Sequence, residues 1–139
     1  MATITEDYVS FAVSKLLKEK GFDEACDKKY FGDDCSGPSY IRERWEDGGD
    51  VCPMSNSDLD DGSKYADISA PTLQMAMKWL RLIYHIHIRL VNSTDESYRY
   101  EIYPREGKYR SSCFSDRCYY ETYEKAAEAS IKYCLENLI

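Results

Sequence analysis

The chain has 139 residues, 43% of them hydrophobic, enough for one domain that buries roughly two thirds of its unfolded surface. Lys plus Arg number 18 against 25 Asp plus Glu, a net charge of −7 that disfavours a surface tracking the nucleic-acid backbone. No stretch approaches the ~18 uncharged apolar residues of a membrane span, and the opening Met-Ala-Thr-Ile-Thr-Glu-Asp-Tyr has neither the basic nor the apolar region of an export signal, so a cytoplasmic protein with no membrane partner is expected.

The acidity belongs to the middle of the chain. Residues 23–67 carry 13 acidic and 5 basic side chains, a net −8, while the first 22 residues balance and the remainder is +1. Six cysteines, Cys26, Cys35, Cys52, Cys113, Cys118 and Cys134, number enough for three bridges. In a chain without an export signal and with ample apolar mass, buried thiols are the expected state.

The first helix is predicted from about Thr5 to Lys20, with Thr3 and Glu6 at capping-box spacing and Tyr8, Phe11, Ala12, Leu16 and Leu17 on its apolar face. Gly21 supplies the left-handed stop, and Phe22 folds back onto the last turn. From 23 to 68 the pattern thins into an acidic, loop-rich segment within the single domain. Tyr30 and Phe31 before Gly-Asp-Asp, and Tyr40 to Glu46 before Asp47-Gly48-Gly49-Asp50, predict two short strands. Pro53 to Gly62 reads as a polar surface loop. Asn56, Asp58, Asp60 and Asp67 fall at calcium-loop positions, but Asp61 occupies the sixth, where the sharp turn requires Gly, so a solvated acidic loop is the expected reading.

The next helix is expected to begin at an N-cap on Ser69, with Pro71 in its first turn, and to run to Tyr84. Leu73, Ala76, Met77, Leu80 and Ile83 form one apolar stripe and Met75, Trp79 and Leu82 a second; only Gln74, Lys78 and Arg81 are polar, which predicts a mostly buried helix. After Tyr84 the period changes to two. Ile86, Ile88 and Leu90 fall on one face of a strand, His85, His87 and Arg89 on the other. Tyr98 to Tyr103 returns antiparallel. Pairing Leu90 with Tyr100 and Ile88 with Ile102 keeps the apolar faces together and sets Arg89 opposite Glu101; slipping it would oppose Arg89 to Arg99. Lys108 to Phe114 adds a third strand. The last helix spans about Tyr123 to Leu138 behind the cap Thr122, with Tyr123, Ala127, Ser130, Ile131, Cys134 and Leu138 inward and Glu128 placed to pair with Lys132. The expected class is α+β, three helices on a small antiparallel sheet, in the order helix, short strands, helix, hairpin, helix.

Chemistry gathers near the hairpin. Arg89, Arg99, Arg105, Lys108, Arg110 and Arg117 interleave with Tyr98, Tyr100, Tyr103 and Tyr109, and guanidinium forks beside aromatic rings suit an anionic ligand, a nucleotide or an acidic protein. The ligand-binding candidates are Arg89, Arg99, Tyr103, Arg105, Tyr109 and Arg110. His85 and His87, two apart with Glu101 across the hairpin, are the candidate metal ligands, and a metal-dependent hydrolase is the rival reading. Cysteine spacing matches no zinc knuckle, Cys118 beside Arg117 lacks a histidine-partnered triad, and no phosphate-binding glycine loop or nucleophile elbow is present. No cofactor and no catalytic residue is assigned.

Ala70-Pro-Thr-Leu-Gln-Met-Ala-Met-Lys-Trp-Leu-Arg81, the ending from Tyr123 to Ile139, Tyr8 to Phe11, Leu16 to Phe22 and Ser55-Asn56-Ser57 together resemble a family of small uncharacterised proteins common in gut Bacteroides-type bacteria and their phages and prophages. The resemblance spans most of the chain. Its matched positions are chiefly core and caps; His85, His87 and most cysteines are not part of the pattern. It implies a small cytoplasmic accessory protein of a phage or mobile element, of a kind that binds a host factor or a host-made signal molecule; with the arginine and tyrosine cluster, the expected partner is a host protein or an anionic small molecule or nucleotide. A structural or homo-oligomerising role is the bland alternative.

Overall fold

Ser10 starts the first helix, because its hydroxyl accepts the Val13 N–H at 3.3 Å and so satisfies one of the donors a helix start leaves open. The computed structural model describes residues 4–32, 34–42, 49–93, 96–103, 111–112 and 119–139. Two units emerge from the contacts, residues 8–72 and residues 73–139 together with 1–7.

In residues 8–72, α1 is Phe11–Glu19. The predicted start at Thr5, with its box of Thr3 and Glu6, is corrected. Tyr8 bridges Thr72 and the Val9 N–H donates to the Pro71 carbonyl at 3.0 Å, so strand-like pairing takes the main-chain groups an earlier helix would have used. The buried face turns accordingly: Val13, Ser14 and Leu17 are inside and Ala12 is exposed. The helix end is as expected. Gly21 has φ of 91°, its N–H meets the Lys18 carbonyl at 3.1 Å, and Phe22, 1% exposed, donates to Leu17 at 2.9 Å.

The acidic stretch that follows carries more order than its composition predicts. β1 (Lys28–Phe31) and β2 (Asp34–Tyr40) form an antiparallel hairpin with a register shift between Lys29 and Phe31. Gly32 lies at its turn against the main chain of Tyr65 and Ala66, where a Cβ would collide. Of the predicted strand from Tyr40 to Glu46, Tyr40 ends β2 and Arg42 bridges Val51, while residues 43–48, with half of the expected turn, lie outside the described ones. The polar loop holds a one-turn helix, α2 (Asn56–Leu59), closed by a capping box of Ser55 and Asp58. β3 (Ile68–Ser69) then pairs with β1, giving the sheet order β2-β1-β3.

Asn56 explains how so polar a segment folds. Only 6% exposed, its amide donates to the Phe22 carbonyl at 2.8 Å and accepts the Ser69 N–H at 2.9 Å, joining the end of α1 to β3. Asp67 ties Lys29 at 2.7 Å and accepts the Gly32 N–H at 3.4 Å; the Tyr30 hydroxyl donates to the Val9 carbonyl at 2.6 Å. The calcium-loop positions Asn56, Asp58, Asp60 and Asp67 are thus spent on the fold, Asp60 accepting the Gly62 N–H at 2.9 Å.

In the other unit, α3 is Leu73–Ile83. Ser69 is strand rather than its N-cap, and the Leu73 N–H is taken by the Asp7 carbonyl at 2.9 Å. Leu73, Ala76, Met77, Trp79 and Leu80 are buried, but Met75, Leu82 and Ile83 are exposed, so the expectation of two buried stripes is corrected to one plus Trp79. His85 takes φ of 57°, a left-handed corner that lets the Ile86 N–H return to the Leu80 carbonyl at 3.2 Å. β4 (His87–Asn92) therefore begins two residues later than predicted. It pairs with β5 (Tyr98–Tyr103) in the predicted register, Leu90 opposite Tyr100, Ile88 opposite Ile102 and Arg89 opposite Glu101. β6 (Ser111–Ser112) adds to β5 within the predicted third strand.

α4 (Tyr123–Asn137) is capped by Thr122, whose hydroxyl accepts the Lys125 N–H at 3.1 Å. Ala126, Ala127, Ser130, Ile131, Cys134 and Leu135 are buried, Leu138 is exposed, and Lys132 reaches Glu136 at 3.9 Å. Tyr100 lies 6.1 Å from Tyr120 and 6.3 Å from Tyr133, and Tyr98 meets Tyr123 edge-on at 6.2 Å, so these tyrosines pack among themselves. The class is α+β. Among the described residues it is built from four helices and two three-stranded antiparallel sheets, rather than three helices on one. No helix among the described residues is long and apolar enough to cross a membrane.

Candidate functional site

Alternation in the β4–β5 hairpin decides which side chains share a face. The odd positions form a grid of three cross-strand pairs on the outer face: His87 with Tyr103, Arg89 with Glu101, Val91 with Arg99. The even positions, Ile88 with Ile102 and Leu90 with Tyr100, face inward. Tyr98 and Tyr100 consequently leave the arginine cluster suggested by their sequence spacing, and among the described residues Tyr103 stays beside it.

Glu101 sits at the centre of the grid. Arg89 approaches it from β4 and Arg99 from two residues earlier on β5, both at 3.7 Å, and the Tyr103 hydroxyl donates to the same carboxylate. The carboxylate is 20% exposed, while the Arg89 and Arg99 side chains are 68% and 43% exposed. One buried-side acid thus orders two outward cations and a phenol. Each guanidinium carries five N–H donors and spends few of them on Glu101, so the outer face keeps donor capacity and a surplus positive charge. The expected register places Glu101 opposite Arg89, and that pairing, rather than the rival reading of Glu101 as a third metal ligand, is the sequence signal for this arrangement.

Of the other ligand-binding candidates, Arg105, Tyr109 and Arg110 lie outside the described residues, as do Lys108 and Arg117. The proposed metal set is not brought together. His85 leaves the strand for the left-handed corner, which removes the two-residue spacing on one face, and Glu101 is already engaged by two arginines. Among the described residues no three His, Cys, Asp or Glu side chains are grouped to hold a metal ion.

Cys26, Cys52 and Cys134 are free thiols. Burial pushes Cys26 up to about 11 and Cys134 up to about 12, which keeps both protonated and unreactive at neutral pH. Neither suits nucleophilic chemistry. Comparisons of the chain with protein-family models, with curated proteins and with solved structures find no match.

Proposed function

We propose that this chain is a non-enzymatic binding module that docks an acidic protein partner on the outer face of the β4–β5 hairpin, as an accessory protein of the phage or mobile-element kind its sequence resembles. The observation that carries the reading is the pair Arg89 and Arg99, held at 3.7 Å from one carboxylate with their heads exposed. Pre-ordering by Glu101 lowers the side-chain entropy that binding would otherwise cost. The surface is an open strand face rather than an enclosed cavity, which suits a macromolecular acidic segment better than a small anion. Positive charge on this face of a chain of net −7 would orient an acidic partner during encounter.

The test is affinity capture from host lysate with the wild-type chain and with Arg89→Ala/Arg99→Ala. A partner retained by the wild type and lost by the double variant, with the far-ultraviolet circular dichroism unchanged, is the expected outcome. Equal capture by both proteins would remove the hairpin face from the reading.

A further inference from the structure

Among the described residues the sheet β4-β5-β6 has one long edge. β6 is two residues and β4 is six, and β4 pairs on one side only, with β5. Which main-chain groups point away follows from the ladder. The Ser93 N–H donates to the Ser97 carbonyl at 2.8 Å, one step beyond the pair Asn92–Tyr98. Hydrogen-bonded and non-bonded pairs alternate in an antiparallel ladder. Val91, Arg89 and His87 therefore bond to β5, and the N–H and C=O groups of Ile88, Leu90 and Asn92 are directed to the outer edge. Among the described residues nothing pairs with them there.

Natural edges are guarded by brevity, proline or a bulge. β2, at the edge of the other sheet, contains Gly37-Pro38 and a shifted register; β3 and β6 are two residues each. β4 has no Gly or Pro and six consecutive pairs without a shift. Its apolar cover is also incomplete. Ile88 and Leu90 are partly exposed, whereas their neighbours across the ladder, Ile102 and Tyr100, are 0% and 6% exposed.

We infer that the outer edge of β4 takes a fourth strand from a partner protein, an extended segment with alternating acidic and apolar residues. This rests on the reading of the hairpin face as the docking surface and adds how the partner lies on it. The partner's apolar side chains cover Ile88 and Leu90, its main chain pairs with Ile88, Leu90 and Asn92, and its carboxylates meet Arg89, the exposed cation on the edge strand. A second copy of the chain is a poorer occupant. Its own β4, His-Ile-Arg-Leu-Val-Asn, has no carboxylate for Arg89, and each copy carries −7.

The test uses amide hydrogen exchange by NMR on the intact chain, with an acetylated, amidated heptapeptide alternating Glu and Val as the probe. Without peptide, the Leu90 amide is expected to exchange at least about tenfold faster than those of Arg89 and Val91. Saturating peptide is expected to slow it about tenfold or more, and Arg89→Glu to weaken binding by about tenfold. A twin peptide N-methylated on the edge facing β4 is expected to lose binding. If the peptide perturbs Arg89 and Arg99 while the Leu90 amide still exchanges openly, or the twin binds equally, strand addition is overturned and the face reading stands. No perturbation at millimolar peptide overturns both. Leu90 protection that arises without peptide and grows with protein concentration assigns the edge to a second copy and overturns the occupant.

Discussion

Residues 8–72 and the hairpin unit each build a three-stranded antiparallel sheet, by different means. In the hairpin unit, periodic apolar side chains do most of the work: Ile102, Ile131 and Leu80 are fully buried, and alternation along β4 and β5 separates them from the charged grid. In residues 8–72 the segment is strongly acidic, so burial is supplemented by side chains that bond main-chain groups. Asn56, Asp67, Asp23 and Tyr30 each reach across the sequence to a carbonyl or N–H. The lesson is that a polar segment can be ordered when its polar groups satisfy buried main chain rather than water.

That contrast can be broken by experiment. The largest effect is expected in the hairpin unit, where Ile102→Ala leaves a cavity beside Ile88 on the inner face and should destabilise by about 4 kcal/mol in a denaturant melt. A loss under about 1 kcal/mol would mean apolar burial is not what holds the hairpin. Next comes Asn56→Ala, which strands the Phe22 carbonyl and the Ser69 N–H without the amide and should cost about 3 kcal/mol by the same measurement. A neutral result there would erase the distinction between the two units.

The smallest effect concerns Asp23, an exposed carboxylate that accepts the Ser57 hydroxyl and, at 2.7 Å, the Ser57 N–H. These bonds hold its pKa below the ordinary 3.8. Because the folded value is the lower one, the contribution is present above 3.8 and is lost as pH falls below it through the folded value. Protection of the α2 amides, taken relative to the intrinsic exchange rate at each pH, should therefore fall only in that acid range, and Asp23→Asn should abolish that fall. A transition near pH 6 would point to another group.

The same contrast explains what could be read in advance. The hairpin register followed from residue types: Leu90, Ile88, Tyr100 and Ile102 demanded one face, and Arg89 demanded Glu101 rather than Arg99 opposite it. The caps Thr122 and Gly21 were legible because a helix end needs local chemistry. α2 and β3 were not. Asn56 looks like any loop asparagine until Phe22 and Ser69, 34 and 13 residues away, are brought to its amide. The start of α1 was misjudged for a related reason, since Tyr8 and Val9 are claimed by Thr72 and Pro71.

At the candidate site the sequence showed an excess of arginine and tyrosine, and strand parity alone could have sent Tyr98 and Tyr100 inward. It could not show that His85 turns the corner in a left-handed conformation, or that one Glu101 carboxylate gathers Arg89, Arg99 and Tyr103. By itself, then, the sequence determined the α+β class, the hairpin register, the Thr122 cap and the Gly21 stop, because periodicity and capping act over a few neighbouring residues. Only the tertiary structure decided where α1 begins, which stripe of α3 is covered, how the acidic segment folds and which strand edge stays open. Those depend on main-chain partners distant in sequence, and local residue order does not encode them.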